Sequence, residues 1–138
     1  MFYLSLHRTR NAERGFTLVE MMVVISIMLI LVGIAVPIYN RSILHARETV
    51  LRQDLFTLRS VIDQYTDDKE KAPQSLDDLI TSGYLKHIPT DPITNSNSTW
   101  QVEMEDVLQS INQQEPGITD VHSGSNAIGS DGTTYSQW

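Results

Sequence analysis

The sequence contains no cysteine, and after Lys86 it contains no lysine or arginine. The first absence excludes a disulfide framework, a thiol nucleophile and a cysteine-based zinc site. The second excludes a phosphate-binding stripe across the C-terminal third. Asp91, Glu103, Glu105, Asp106, Glu115, Asp120 and Asp131 stand there without basic partners nearby in sequence, so nucleic acid is not a partner. Aromatic residues make up only 7% of the 138 residues, and the formal net charge is −7. A chain of this length makes one domain and not comfortably two.

Against those absences stands one long apolar block. Residues 1–15 carry His7, Arg8, Arg10 and Arg14 against the single acid Glu13, and the run from Phe16 to Tyr39 follows with one carboxylate inside it, Glu20. As a helix this run spans about 36 Å, enough to cross a bilayer core of about 30 Å with some tilt. Charge counting does not orient it, because Arg8, Arg10 and Arg14 precede the span and Arg41, Arg47 and Arg52 follow it. A secretory signal cleaved after Ala35, leaving Val36 first, is one reading. Its apolar stretch is longer than such signals need, and Glu20 interrupts it. A plain single-span anchor is another.

A third reading accounts for the carboxylate. The run Arg14-Gly15-Phe16-Thr17-Leu18-Val19-Glu20 resembles the prepilin signal of type IV pilins and type II secretion pseudopilins. The resemblance implies cleavage after Gly15 by a prepilin peptidase and N-methylation of Phe16. It also implies that Glu20 pairs with the N-terminal amine of a neighbouring subunit. An ionised group in a spanning helix is costly and is usually partnered. The resemblance divides the chain into a leader (1–15), a transmembrane and filament-core helix (16–39) and a periplasmic head (40–138).

Beyond the span the helical pattern continues. Leu51, Leu55, Leu58, Ile62 and Tyr65 fall at four- and three-residue steps, the seam of an amphipathic helix. Glu48 with Arg52, and Arg59 with Asp63, are spaced for pairs on exposed faces. One helix of roughly 75 Å is expected from about Phe16 to about Asp67. Its weak points are Gly33 and Pro37, since proline removes a backbone bond and kinks a helix. Both are candidate assembly residues under the resemblance.

Ser75 and Asp78 read as the capping box of a short second helix that Gly83 ends in a left-handed turn. The run Tyr84-Leu85-Lys86-His87-Ile88-Pro89-Thr90-Asp91-Pro92 is a fixed, extended turn. The stretch from Pro73 to Pro92 resembles the αβ-loop of the major, G-type pseudopilins. Thr99–Glu105 alternates, with Trp100, Val102 and Met104 on one face, the period of a half-buried strand. A turn over Asn112–Gly117 and a second strand over Ile118–His122 follow. The expected fold class is α+β and pilin-like: a long helix, its first half transmembrane, packed on a small antiparallel sheet.

Two readings of the tail stand side by side. Gly124, Gly129 and Gly132 among Ser, Asn and Asp make an oxygen-rich loop suited to a hard cation. They also suit a metal-free loop held by Asx-turns. G-type pseudopilins bind calcium in a similar region, which implies Ca2+ ligands among Asp131, Asp120, Ser125 and Asn126. The histidines His7, His45, His87 and His122 have no metal-ligand spacing in the sequence. Asp120, His122 and Ser123 do not converge as a triad on a strand, because Ser123 faces away from the other two.

The function expected is therefore structural and not enzymatic: a pseudopilin of a type II secretion system. It waits in the bacterial inner membrane with its C-terminal domain in the periplasm and assembles into a homo-oligomeric filament. Its implied partners are the prepilin peptidase, minor pseudopilins and the inner-membrane assembly platform. A type IV pilin of a surface pilus is the alternative within the class. A membrane-anchored or secreted periplasmic binding module is the alternative outside it.

Overall fold

A computed structural model of the protein describes residues 15, 17–105 and 115–138. The leader other than Gly15, the residue Phe16 and the first part of the expected 112–117 turn lie outside the described residues. Two compact units meet in sequence at Tyr39 and Asn40.

Helix α1 runs over Leu18–Lys69. It opens where Thr17 caps it: the Thr17 hydroxyl oxygen accepts the Glu20 backbone N–H at 3.2 Å. It passes through Pro37 as one helical element, so the break risked there is not taken. It stops at Lys69 because Glu70 takes a left-handed conformation with φ 54°.

Within the first unit, every described residue of α1 is exposed. Leu18, Leu29, Ile30 and Leu31 are each more than 60% accessible. This part of α1 is long and apolar enough to cross a membrane.

The second unit is built on the other end of the helix. Leu51, Leu55, Leu58, Ile62 and Tyr65, the seam read from the sequence, are all buried. They form one core with Leu79, Trp100, Ile118, Val121 and Tyr135. Full burial of each aliphatic side chain is worth about 2 kcal/mol, so this seam is what holds the head to its helix. Helix α2 (Leu76–Thr81) contributes Leu79. Its start is fixed by the Asp78 carboxylate, which accepts the N–H of Ser75 at 3.0 Å and of Gln74 at 2.9 Å. Its end is the expected left-handed Gly83, φ 82°.

Strands β1 (Gln101–Glu105) and β2 (Gly117–His122) pair antiparallel, with Glu103 opposite Asp120 and Gln101 opposite His122. The register slips by one residue after Glu103, so Thr119 is bulged out between Asp120 and Ile118. β1 departs from expectation. Its alternation is present, but all five residues are exposed, Val102 and Met104 included. Only Trp100, just before the strand, reaches the core, with its indole N–H on the Pro89 carbonyl at 2.8 Å. Alternation decides which side chains share a face. It does not supply a layer to cover that face.

The Pro89–Pro92 turn is fixed by a buried carboxylate. Asp91 is fully inaccessible, and its Oδ1 accepts the N–H of Ile93 at 2.7 Å and of Thr94 at 3.3 Å. Its Oδ2 accepts the hydroxyl of Ser123, which is equally buried. Ser123 thus ties the end of β2 to this turn, and its hydroxyl is committed away from Asp120 and His122. A Cβ at Gly124 would collide with the Thr99 carbonyl oxygen, so only glycine lets the chain pass there.

Candidate functional site

Two regions carry the residues singled out from the sequence. The first is the apolar part of α1. Glu20 lies in its first turn, exposed, where the positive end of the helix favours a carboxylate. Gly33 is exposed too, with open space where a side chain would be. Phe16, the expected methylated residue, lies outside the described residues.

The second region is the C-terminal loop, and the structure corrects its sequence-based pairing. Glu48 and Arg52 do not pair with each other, nor Arg59 with Asp63. Glu48 is buried, one three-residue step before Leu51 on the same seam. Its carboxylate accepts the Ser130 N–H at 2.7 Å, the Ser130 hydroxyl and the Tyr135 hydroxyl at 3.0 Å. Burial alone would push this acid up. The Ser130 and Tyr135 hydrogen bonds and His45, with Nδ1 at 3.6 Å, outweigh it and leave the group below its ordinary value. Tyr135 is pushed the other way, up to about 12, by burial and by Glu48, so its hydroxyl stays a donor.

Arg52 lies one turn further along α1. It reaches Asp131 at 3.2 Å and stacks 3.9 Å above the Trp138 ring. Two turns beyond, Arg59 donates through Nε to Asp120 and through its terminal nitrogen to the main-chain oxygens of Val121 (2.9 Å) and Trp138 (2.7 Å). A short 3-10 turn over Tyr135–Gln137 closes the tail, with Tyr135 edge-on to Trp138 at 5.0 Å. Three charged side chains on α1 therefore clasp a loop about eighty residues away in the chain.

The candidate calcium ligands fall into separate groups. Asp131 Oδ1 accepts the Thr133 N–H at 2.9 Å and its hydroxyl at 2.7 Å, while Oδ2 faces Arg52. These contacts and Arg52 hold Asp131 below the usual carboxylate range. Asp120 is bound by Arg59, Ser125 accepts the Ala127 N–H at 3.2 Å, and Asn126 is exposed. Calcium takes six to eight oxygens turned toward one point. Here the positive partner of Asp131 is a guanidinium, and backbone N–H groups point inward at the carboxylates. As folded, this donor set does not fit a calcium ion.

A cluster not visible in the linear spacing lies on the strand pair. Glu103, Asp120 and His122 each offer a ligand atom within 4.8 Å of the others. The signal was partial: Asp120 and His122 share a strand face, but only the register brings Glu103 to them.

An exposed apolar N-terminal stretch of helix that continues into the seam of a small α+β head defines a pilin-like subunit. A family model described as the prokaryotic N-terminal methylation motif matches residues 10–36. Type II secretion system core protein G of Klebsiella michiganensis is 35% identical over a 99-residue alignment, covering 60% of this chain and 70% of that protein. The protein of the same name from Pseudomonas aeruginosa is 32% identical over 102 residues, covering 62% and 72%. Competence protein ComGC of Halalkalibacterium halodurans is 33% identical over 75 residues, covering 54% and 74%. No solved structure matches the chain. The chain belongs to the type II secretion system core protein G family.

Proposed function

We infer that this protein is a structural subunit of a type II secretion pseudopilus. In this reading a prepilin peptidase cuts after Gly15 and Phe16 becomes the methylated N-terminus. The Leu18–Tyr39 part of α1 then holds the subunit in the inner membrane, with the head in the periplasm. The assembly platform draws subunits out of the bilayer, and minor pseudopilins join the same filament.

The observation that carries the reading is the exposure of every described residue in the apolar part of α1, in a member of this family. A stripe that no described residue covers suits lipid before assembly and other subunits after it. Glu20 is the one acid in that stripe. In a low-dielectric filament core an unpaired carboxylate is strongly disfavoured, so the neighbouring N-terminal amine sets the register. Gly33 and Pro37 give the helix places to pack closely and to bend as it leaves lipid.

The run Arg14–Glu20 resembles the leader of type IV pilins as well as of pseudopilins, which leaves a second reading, a type IV pilin of a surface filament. Deleting the gene separates the two: loss of protein export with unchanged surface filaments fits the first, and the converse fits the second. Glu20→Ala tests the mechanism common to both. Processing and membrane insertion are expected to persist while filament assembly is lost, and normal filaments from this variant would contradict the Glu20 pairing.

A further inference from the structure

His122 is placed to do more than brace a strand. Its Nδ1 lies 2.7 Å from the main-chain oxygen of Trp138. That oxygen can only accept, so at this contact, the shorter of the two that Nδ1 makes, Nδ1 is the donor, and in the neutral ring Nε2 presents a lone pair. Arg59 approaches from the Nδ1 side at 3.4 Å and does not occupy Nε2.

Nε2 faces two carboxylate oxygens, Glu103 Oε2 and Asp120 Oδ2, each at 3.6 Å. That distance is too long for a hydrogen bond. It is, however, the separation of two ligands of one small cation. With bonds of about 2.1 Å, a 3.6 Å nitrogen–oxygen separation subtends an angle of about 118°, close to tetrahedral. The other Asp120 oxygen is held by Arg59 and by the Val121 N–H at 2.7 Å, so Oδ2 is oriented toward the cluster. A ligating histidine whose other nitrogen donates to a backbone oxygen is the usual outer-shell arrangement of such sites. The side chains are partly open to solvent, Glu103 the most at 68%, which leaves an entry path and room for water.

We propose that Glu103, Asp120 and His122 form a binding site for a divalent transition-metal ion, zinc foremost, with water completing four-coordination. The imidazole nitrogen is a borderline ligand that favours zinc over calcium, and zinc also accepts carboxylate oxygens. Bound there, the ion staples β1 to β2 and, through His122, fixes the Trp138 end of the tail. The site shares no ligand with Asp131, although both reach Trp138, one through His122 and the other through Arg52.

The test is cobalt titration of the full chain in detergent micelles, followed by zinc displacement. The expected result is one equivalent of cobalt with the intense visible bands of a tetrahedral ion, bleached by zinc, together with a zinc-dependent rise in Tm. His122→Gln and Glu103→Gln are expected to lose the bands and the Tm rise, while His87→Gln and Asp131→Asn keep both. Glu103 is largely exposed, so its variant is expected to keep the metal-free Tm of the parent and to report on the site alone. No tetrahedral spectrum, or a spectrum unchanged in Glu103→Gln and His122→Gln, would overturn the proposal.

Discussion

Between Leu18 and Tyr39 the side chains of α1 are uniformly exposed, whereas between Leu51 and Tyr65 the same helix buries an apolar residue at every three- or four-residue step. Hydrophobicity does not explain which stretch is buried, since the exposed one is the more apolar. They differ in what the rest of the chain provides. Trp100, Ile118, Val121 and Tyr135 come back to cover the second stretch, and no described residue covers the first. One helix thus buries the apolar seam of its second stretch in folding and leaves the apolar side chains of its first stretch exposed.

Substitutions on the two stretches should therefore separate stability from assembly. Leu58→Ala, at a fully inaccessible position, is expected to destabilise the head by about 3 kcal/mol, read by denaturant or thermal unfolding of the chain in detergent. Glu48→Leu comes next. It strands the Ser130 N–H and the Ser130 and Tyr135 hydroxyls, for a loss of about 2 kcal/mol. An unchanged Tm in that variant would break the claim that the seam extends to Glu48.

The pH dependence follows from the same group. The folded pKa of Glu48 lies below its ordinary 4.5, so its stabilisation is complete above that value. It is lost as pH falls through the lower, folded value. Asp131, held low by Thr133 and Arg52, acts in the same direction, while Asp54, raised by burial and by Asp91, acts against it. Acid unfolding measured by circular dichroism should have a shallower slope in Glu48→Gln than in the parent.

A smaller effect concerns the loop. With Arg52 facing Asp131, calcium added to the metal-free chain is not expected to move Tm, and Arg52→Gln should lower it slightly. A clear calcium-dependent rise would mean that Asp131 leaves Arg52 for the ion. Smallest of all, Ile30→Ala is expected to leave the unfolding of the head unchanged, since Ile30 is 63% accessible and lies in the other unit.

Much of this was legible in the sequence. The Leu51–Tyr65 seam, the Ser75–Asp78 capping box, the left-handed Gly83 and the second strand follow from periodicity and local hydrogen bonding, which short segments carry within themselves. Glu48 was not legible as a core residue, because a carboxylate at a seam position reads as surface unless its partners are known. Those partners, Ser130 and Tyr135, are more than eighty residues away. The same holds for Arg52 and Arg59, where an i,i+4 acid was the only partner that sequence spacing could offer. Glu103 joined Asp120 and His122 only through strand register, including a bulge at Thr119 that no spacing rule anticipates.

Whether the apolar stretch begins at a processed N-terminus can be read by intact mass and terminal fragmentation of the protein purified from its native membrane. A processed pseudopilin begins at N-methylated Phe16. A chain beginning at Met1 or at Val36 would contradict that processing.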